Sequence, residues 1–117
     1  MEWTIEFHLK FEPEFDTLNE QVQDECFANL KMLAHFGPSL GRPQVDTLKG
    51  SKHANMKELR FSASNGVWRL AFAFDPTRKA ILLVCGDKSG GSEKAFYKSL
   101  IKKADERFNA HLETLKK

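Results

Sequence analysis

The stretch from Met56 to Lys88 constrains this chain most. It reads Met-Lys-Glu-Leu-Arg-Phe-Ser-Ala, a break at Ser64-Asn65-Gly66, Val-Trp-Arg-Leu-Ala-Phe-Ala-Phe, a second break at Asp75-Pro76-Thr77-Arg78, and Ala-Ile-Leu-Leu-Val-Cys-Gly-Asp-Lys. Three short apolar runs separated by strong turn chemistry predict an antiparallel meander. A two-residue turn at Asn65-Gly66 fixes the first register, with Ser64 opposite Val67, Phe61 opposite Leu70 and Leu59 opposite Phe72. On the other face Ser62 meets Arg69 and Arg60 meets Ala71. A second turn centred on Thr77-Arg78 sets Phe74 against Ile81, Phe72 against Leu83, Leu70 against Cys85 and Arg69 against Gly86. One face is then wholly apolar. The other carries Arg60 and Arg69 as diagonal neighbours, roughly 7–8 Å apart, with Lys88 just beyond the last strand. Cations gathered so closely repel, so either Glu58 and Asp87 offset them or an anion belongs there.

The flanks complete an α+β plan. Trp3, Ile5, Phe7 and Leu9 alternate with Glu2, Thr4, Glu6 and His8, which predicts an N-terminal strand with one buried face, its polar alternate residues suited to a sheet edge or a solvated outer face. Phe15, Leu18, Val22, Cys26, Leu30 and Leu33 recur at spacings of three and four and describe a helical stripe ending at Gly37-Pro38. Pro13 suits a first turn. Asp16 and Asn19 can each cap a new start, so the segment reads equally as one helix or as a short one leading into a longer one. From Gly37 to Asn55 run about twenty residues with two prolines, three glycines and no lasting periodicity; loops of that length inside a compact domain are usually functional. Arg42, Lys49, Lys52 and His53 make this loop basic, and it leads straight into the strand bearing Arg60. After the Ser-Gly-Gly-Ser hinge, Ser92 caps a last helix with Phe96, Leu100, Ile101, Ala104, Phe108, Leu112 and Leu115 on its apolar stripe and Lys94, Lys98 and Lys102 on another face. The expectation is one domain over 1–117: a small, mostly antiparallel sheet of an N-terminal strand plus a three-strand meander, packed on an N-terminal helical segment, with a C-terminal helix.

Composition narrows the function classes. A formal charge of +2 is too small by itself to imply nucleic-acid binding, so such a claim rests on where the charge sits. Cys26 and Cys85 fall at core positions and read as small hydrophobes rather than a disulfide. His8, His35 and His111 share no ligand spacing, which gives no metal site. The N-terminus has no basic region followed by an apolar run, and no stretch is long enough to span a membrane; a cytoplasmic protein without membrane attachment is expected.

The chain resembles toxins of the RelE/ParE superfamily, in the HigB-like branch that includes phage-derived proteins. The residues carrying the resemblance are Gly-Pro-Ser-Leu-Gly-Arg-Pro at 37–43, Leu-Lys-Gly at 48–50, Lys-Glu-Leu-Arg-Phe at 57–61, Trp-Arg-Leu-Ala-Phe at 68–72 and Leu-Leu-Val-Cys-Gly-Asp-Lys at 82–88. The resemblance implies the toxin of a type II toxin–antitoxin module: a metal-independent endoribonuclease, with no cofactor, that cuts messenger RNA in the A site of the small ribosomal subunit, inhibits translation and is neutralised by a helix-turn-helix antitoxin. By the same resemblance Arg69 matches the arginine of the family's "Gly-aromatic-Arg-Leu" strand, Arg60 its "Leu-Arg" element, Lys88 the basic residue after the last strand's glycine, and Tyr97 the C-terminal aromatic. Two departures stand out. Glu58 occupies a strand position that often carries a second lysine, and the stretch between Lys88 and Tyr97 is longer.

Cleavage through the ribose 2′-hydroxyl requires removing that proton, stabilising a phosphorane of extra negative charge and protonating the leaving 5′-oxygen. Arg69 and Arg60 are the expected phosphate clamp. Lys57, Glu58 and His53 are the candidate bases, and Lys88 and Tyr97 the candidate acids or further phosphate contacts. Lys49, Lys52, His53, Lys94 and Lys98 are candidate RNA contacts. Two other classes fit the same fold: a ParE-like gyrase poison, which needs no RNA-cleaving residues, and a non-catalytic protein that binds an antitoxin or RNA.

Overall fold

The computed structural model describes residues 2–116. The elements run β1 (Thr4–Phe7), α1 (Phe11–Asp16), α2 (Glu20–Phe36), a 3-10 turn (Gly37–Ser39), β2 (Val45–Thr47), β3 (Met56–Ala63), β4 (Gly66–Phe74), β5 (Lys79–Asp87) and α3 (Glu93–Thr114). The strands form one sheet in the order β1-β5-β4-β3-β2. It is antiparallel except for β1, which runs parallel to β5 along an edge. The α+β architecture is the expected one, with an additional short strand, β2, inside the long basic loop.

The helical segment is two helices. Asn19 takes up the break, its Oδ1 accepting from the backbone N–H groups of Gln21 at 2.8 Å and Val22 at 3.4 Å, which satisfies donors left free at a helix start. β1 stops at Phe7 and the chain turns immediately, so Leu9, expected on the buried face, is 86% exposed. Gly37 ends α2 with φ of +56°, and a Cβ there would stand 2.3 Å from the Trp3 ring.

The first hairpin differs from expectation. Its turn centres on Ser64-Asn65, both at positive φ (48° and 64°), as a type I′ turn demands. Gly66 instead begins β4, where a Cβ would meet Trp68 Nε1 at 2.7 Å and Asp87 Oδ2 at 2.8 Å; this glycine supplies space, not a turn conformation. Every partner therefore shifts by two residues, which leaves the faces intact but places Arg60 directly opposite Arg69 and Phe61 opposite Trp68. In the second hairpin Leu70 pairs with Cys85 and Arg69 with Gly86, as expected. A bulge beyond Ala71 then moves Phe72 to Leu82 and Phe74 to Ala80, leaving Leu83 without a partner. Both Leu83 and Val84 consequently face α3, and Arg107 of α3 donates to the Leu83 carbonyl at 2.7 Å.

The sheet is covered on both faces. Leu59, Phe61, Leu70, Phe72 and Leu82 pack under α1 and α2 through Phe11, Phe15, Val22, Cys26, Leu30 and Leu33. Met56, Ala71, Ala73, Ile81 and Leu83 pack under α3 through Leu100, Ala104 and Phe108. Burying each large apolar side chain stabilises the fold by about 1.5–3 kcal/mol. Arg60 and Arg69 share the α3 face, so the ends of α3 decide which of them solvent can reach.

Candidate active site

Beside the N-terminal turns of α3 the sheet is only partly covered, and a groove of about 430 Å³ opens there. β3 supplies Glu58 and Arg60, the β2 segment supplies Asp46 to Lys49, Lys88 follows β5, and α3 supplies Glu93 and Tyr97. Arg42 stands at the rim. The β2 segment is held against β3 by the Val45–Leu59 and Asp46–Glu58 pairs and by the Arg60 amide, which donates to the Gln44 carbonyl at 2.8 Å. The basic loop thus becomes one wall.

The floor is a three-residue chain of hydrogen bonds. Tyr97 Oη donates to Glu58 Oε1 at 2.8 Å, and Arg69 Nε donates to Tyr97 Oη at 3.2 Å while standing 3.6 Å from Glu58 Oε1. Arg69 Nη1 donates to its neighbour's carbonyl, on Trp68, at 2.9 Å. Glu58 is 7% exposed and Arg69 5%. Burial pushes the Tyr97 phenol above its ordinary value, the bond to Glu58 pushes the same way, and Arg69 opposes both; the phenol keeps its proton at neutral pH. Among the described residues nothing bonds to Glu58 Oε2, and no buried side-chain oxygen is left unpaired. Oε2 therefore retains solvent contact, and Glu58 itself lines the groove.

Charge in the groove is unbalanced. Arg42 pairs with Asp46 at 3.8 Å and Lys88 with Glu93 at 3.4 Å, while Lys88 Nζ also sits 5.9 Å from the Tyr97 ring centroid. Glu58 is engaged by Arg69. Among the described residues Arg60 and Lys49 form no ion pair, so the groove retains positive charge for an anion.

Of the residues expected at the site, Glu58, Arg60, Lys88, Tyr97 and Lys49 are brought together. Arg69 lies beneath them, on the expected face but under Tyr97. Lys57 does not reach the groove: strand alternation turns it to the α2 side, and its Nζ donates to Thr47 Oγ1 at 3.3 Å. His53 is also elsewhere, its Nε2 2.7 Å from Asn109 Oδ1 and its ring against Phe108. Lys52 and Lys98 line a neighbouring groove, and Lys94 is exposed on α3. Arg42, one of the cations of the basic loop expected beside this patch, is brought to the rim by the pairing of Val45–Thr47 with β3. Asp87, the other acid near the cations, spends its Oδ1 on the Val67 and Ser89 amides and the Ser89 hydroxyl. Among the described residues no three His, Cys, Asp or Glu side chains converge as metal ligands, and no helix is long and apolar enough to cross a membrane.

The same fold occurs in a free-state variant of Escherichia coli RelE with two arginines changed to alanine, at a TM-score of 0.65 over 92% of this chain and 98% of that one, with 16% identity. A P21 crystal form of isolated E. coli RelE superposes at a TM-score of 0.51 over 86% of this chain and 96% of that one, with 14% identity. The fold is therefore that of the RelE toxins. In sequence, the model of the phage-derived Gp49-like proteins matches residues 13–109. Two Mycobacterium tuberculosis proteins named as toxins are similar: HigB2, 46% identical over 96 residues covering 81% of this chain, and HigB3, 43% identical over 93 residues covering 80% of this chain and 79% of its own length. The chain spans 47% of HigB2, about half its length. The chain belongs to the phage-derived Gp49-like family and is a relative of HigB2 and HigB3; with RelE it shares the fold.

Proposed function

We propose that this chain is the toxin of a type II toxin–antitoxin module: a cytoplasmic endoribonuclease that cuts messenger RNA in the ribosomal A site without a metal and is neutralised by a helix-turn-helix antitoxin. The observation that carries the reading is a single groove in which a nearly buried carboxylate, with one oxygen open, stands beside arginine and lysine side chains that have no acidic partner. Glu58 Oε2 takes the proton of the ribose 2′-hydroxyl. The 2′-oxygen attacks phosphorus, the bond to the 5′-oxygen breaks, and the products are a 2′,3′-cyclic phosphate and a 5′-hydroxyl. Arg60, Lys49 and Lys88 stabilise the charge that accumulates on the phosphoryl oxygens. The leaving oxygen takes its proton from Tyr97 or Lys88, the two donors on the groove wall. Arg69 acts from below as a positioning residue. It is the counter-charge beside the buried Glu58 carboxylate and the donor that fixes Tyr97 over it.

Induction of the chain in growing bacteria tests this reading. Messages cut within codons and carrying 5′-hydroxyl ends, lost on Glu58→Gln, are the expected result. DNA breakage with an SOS response would instead identify a gyrase poison, and unimpaired growth a non-catalytic binding protein.

A further inference from the structure

Next to the groove just described lies a second one of about 420 Å³, bounded by Gly50 and Lys52 on the loop and by Lys98, Ile101, Lys102 and Asp105 on α3. Their linings are consecutive along the loop and along α3. Lys49 lines the first and Gly50 the second; Tyr97 lines the first and Lys98 and Ile101 the second. From Tyr97 to Ile101 the helix advances about 6 Å, which is the scale of one extended nucleotide.

We infer that this second groove is a nucleotide subsite, holding the residue of single-stranded RNA adjacent to the scissile phosphate; the inference rests on the RNA-cleavage reading above. Its chemistry suits that ligand. Lys52, Lys98 and Lys102 are exposed and form no ion pair among the described residues, so all three are available to a phosphate. Ile101 gives a half-buried apolar floor on which a base can lie.

The groove is also preformed. Asp105, 7% exposed, accepts from Ser51 Oγ at 2.5 Å and from the Lys52 amide at 3.0 Å, and Ser51 Oγ in turn accepts from the His53 amide at 3.0 Å. The loop is thereby pinned to α3. Gly50 adopts φ of +97°, and a Cβ there would touch Ile101 Cδ1 at 3.4 Å, so the loop backbone rests on the floor residue. Glu106 also lines the groove and is exposed; with Asp105 engaged by the loop, three lysines face one carboxylate that is free among the described residues, and the net potential is positive.

Amide NMR titration with uncleavable 2′-O-methyl oligouridylates tests the assignment. A dinucleotide with a single phosphate should shift the amides around Arg60 and Lys88 only. A tetranucleotide should shift Gly50, Lys52 and Ile101 as well and bind about tenfold tighter, the gain ordinarily carried by one further stacked base. The Lys52→Gln, Lys98→Gln, Lys102→Gln variant should lose the second set of shifts and that gain while the dinucleotide binds as before; unchanged shifts elsewhere verify its fold. A tetranucleotide that leaves Gly50 and Ile101 unmoved, or an affinity gain that survives the triple substitution, overturns the subsite and leaves the cleavage reading standing. If neither oligonucleotide moves Arg60 or Lys88, the RNA reading falls and the subsite with it.

Discussion

Arg60 and Arg69 stand directly opposite one another on β3 and β4, on the same face of the sheet, yet they do different work. Tyr97 closes over Arg69, and Arg60 opens into the groove. Because Arg60 has no ionic partner among the described residues, Arg60→Gln is expected to change unfolding free energy by less than about 0.5 kcal/mol. Message cleavage should fall by roughly 10²–10³-fold. Urea unfolding and primer-extension mapping of cut sites, run on the same preparation, check the pair of outcomes.

Arg69 should behave in the opposite way. Removing one partner of a buried pair strands the other charge, at a cost of roughly 3–5 kcal/mol, whereas removing both is far less costly. Arg69→Met and Glu58→Gln are each expected to destabilise, and the double variant to recover most of the loss. A urea double-mutant cycle measures the coupling. An additive cycle would mean that the pair contributes nothing to the fold and that Arg69 is not a positioning residue. Loss of toxicity in an Arg69 variant alone therefore says nothing about phosphate binding.

Tyr97 is the only tyrosine in the chain, so near-ultraviolet tyrosinate absorbance reports it alone. Its phenol should titrate above the ordinary value. Glu58→Gln should bring it down, because the carboxylate accepts its proton and repels the tyrosinate; Arg69→Met should raise it further, because the guanidinium favours the charged form. Opposite displacements in the two variants are the signature of the three-residue chain, and a mere packing role would move neither in this pattern.

Period-two alternation was enough to put Arg60, Arg69 and Glu58 on one face, because a two-residue register error leaves the faces unchanged. It could not show what covers that face. The same alternation makes Arg69 available or buried according to where α3 begins, and Tyr97 is set there by Ser92, whose Oγ accepts from the Ala95 amide at 3.2 Å. β2 is not legible in the sequence because Val45–Thr47 is three residues long and held by backbone pairing, which leaves no periodic trace. The bulge at Leu83 was hidden for a related reason: in a strand buried on both faces nearly every residue is apolar, so one extra residue breaks no pattern. Asn19 and Asp16 were equivalent as caps on paper, and only Asn19 receives the helix amides.

Gly37 and Gly41 separate two uses of glycine. At Gly37 an alanine would adopt an unfavourable positive φ and drive its Cβ into Trp3, whereas at Gly41 no atom lies within 4 Å of the added carbon. Gly37→Ala is expected to cost about 2 kcal/mol or more and Gly41→Ala to be nearly neutral, as read from the thermal midpoints of the two variants.

Acid should weaken the fold in two steps. Burial, followed by the charges of Arg107, His111 and Lys10, holds His8 below its ordinary value of 6.5. The unfolded chain therefore takes up that proton first, and stability falls as pH drops below about 6.5. Asp75 gives the second step. Burial alone would push its carboxyl up, but His111 Nε2 at 2.8 Å and bonds from Thr77 and Lys79 bring it below the usual value. A depressed carboxylate stabilises above its unfolded value, about 4, and that contribution disappears as pH falls through the folded one. Glu14, held low chiefly by its hydrogen bonds with Arg107, adds to the same step. Urea midpoints measured from pH 8 downwards should show both declines. His8→Gln should flatten the first, and Asp75→Asn should shrink the second while lowering stability at neutral pH, because the Asp75–His111 bond is what ties the C-terminal half of α3 to the β4–β5 turn.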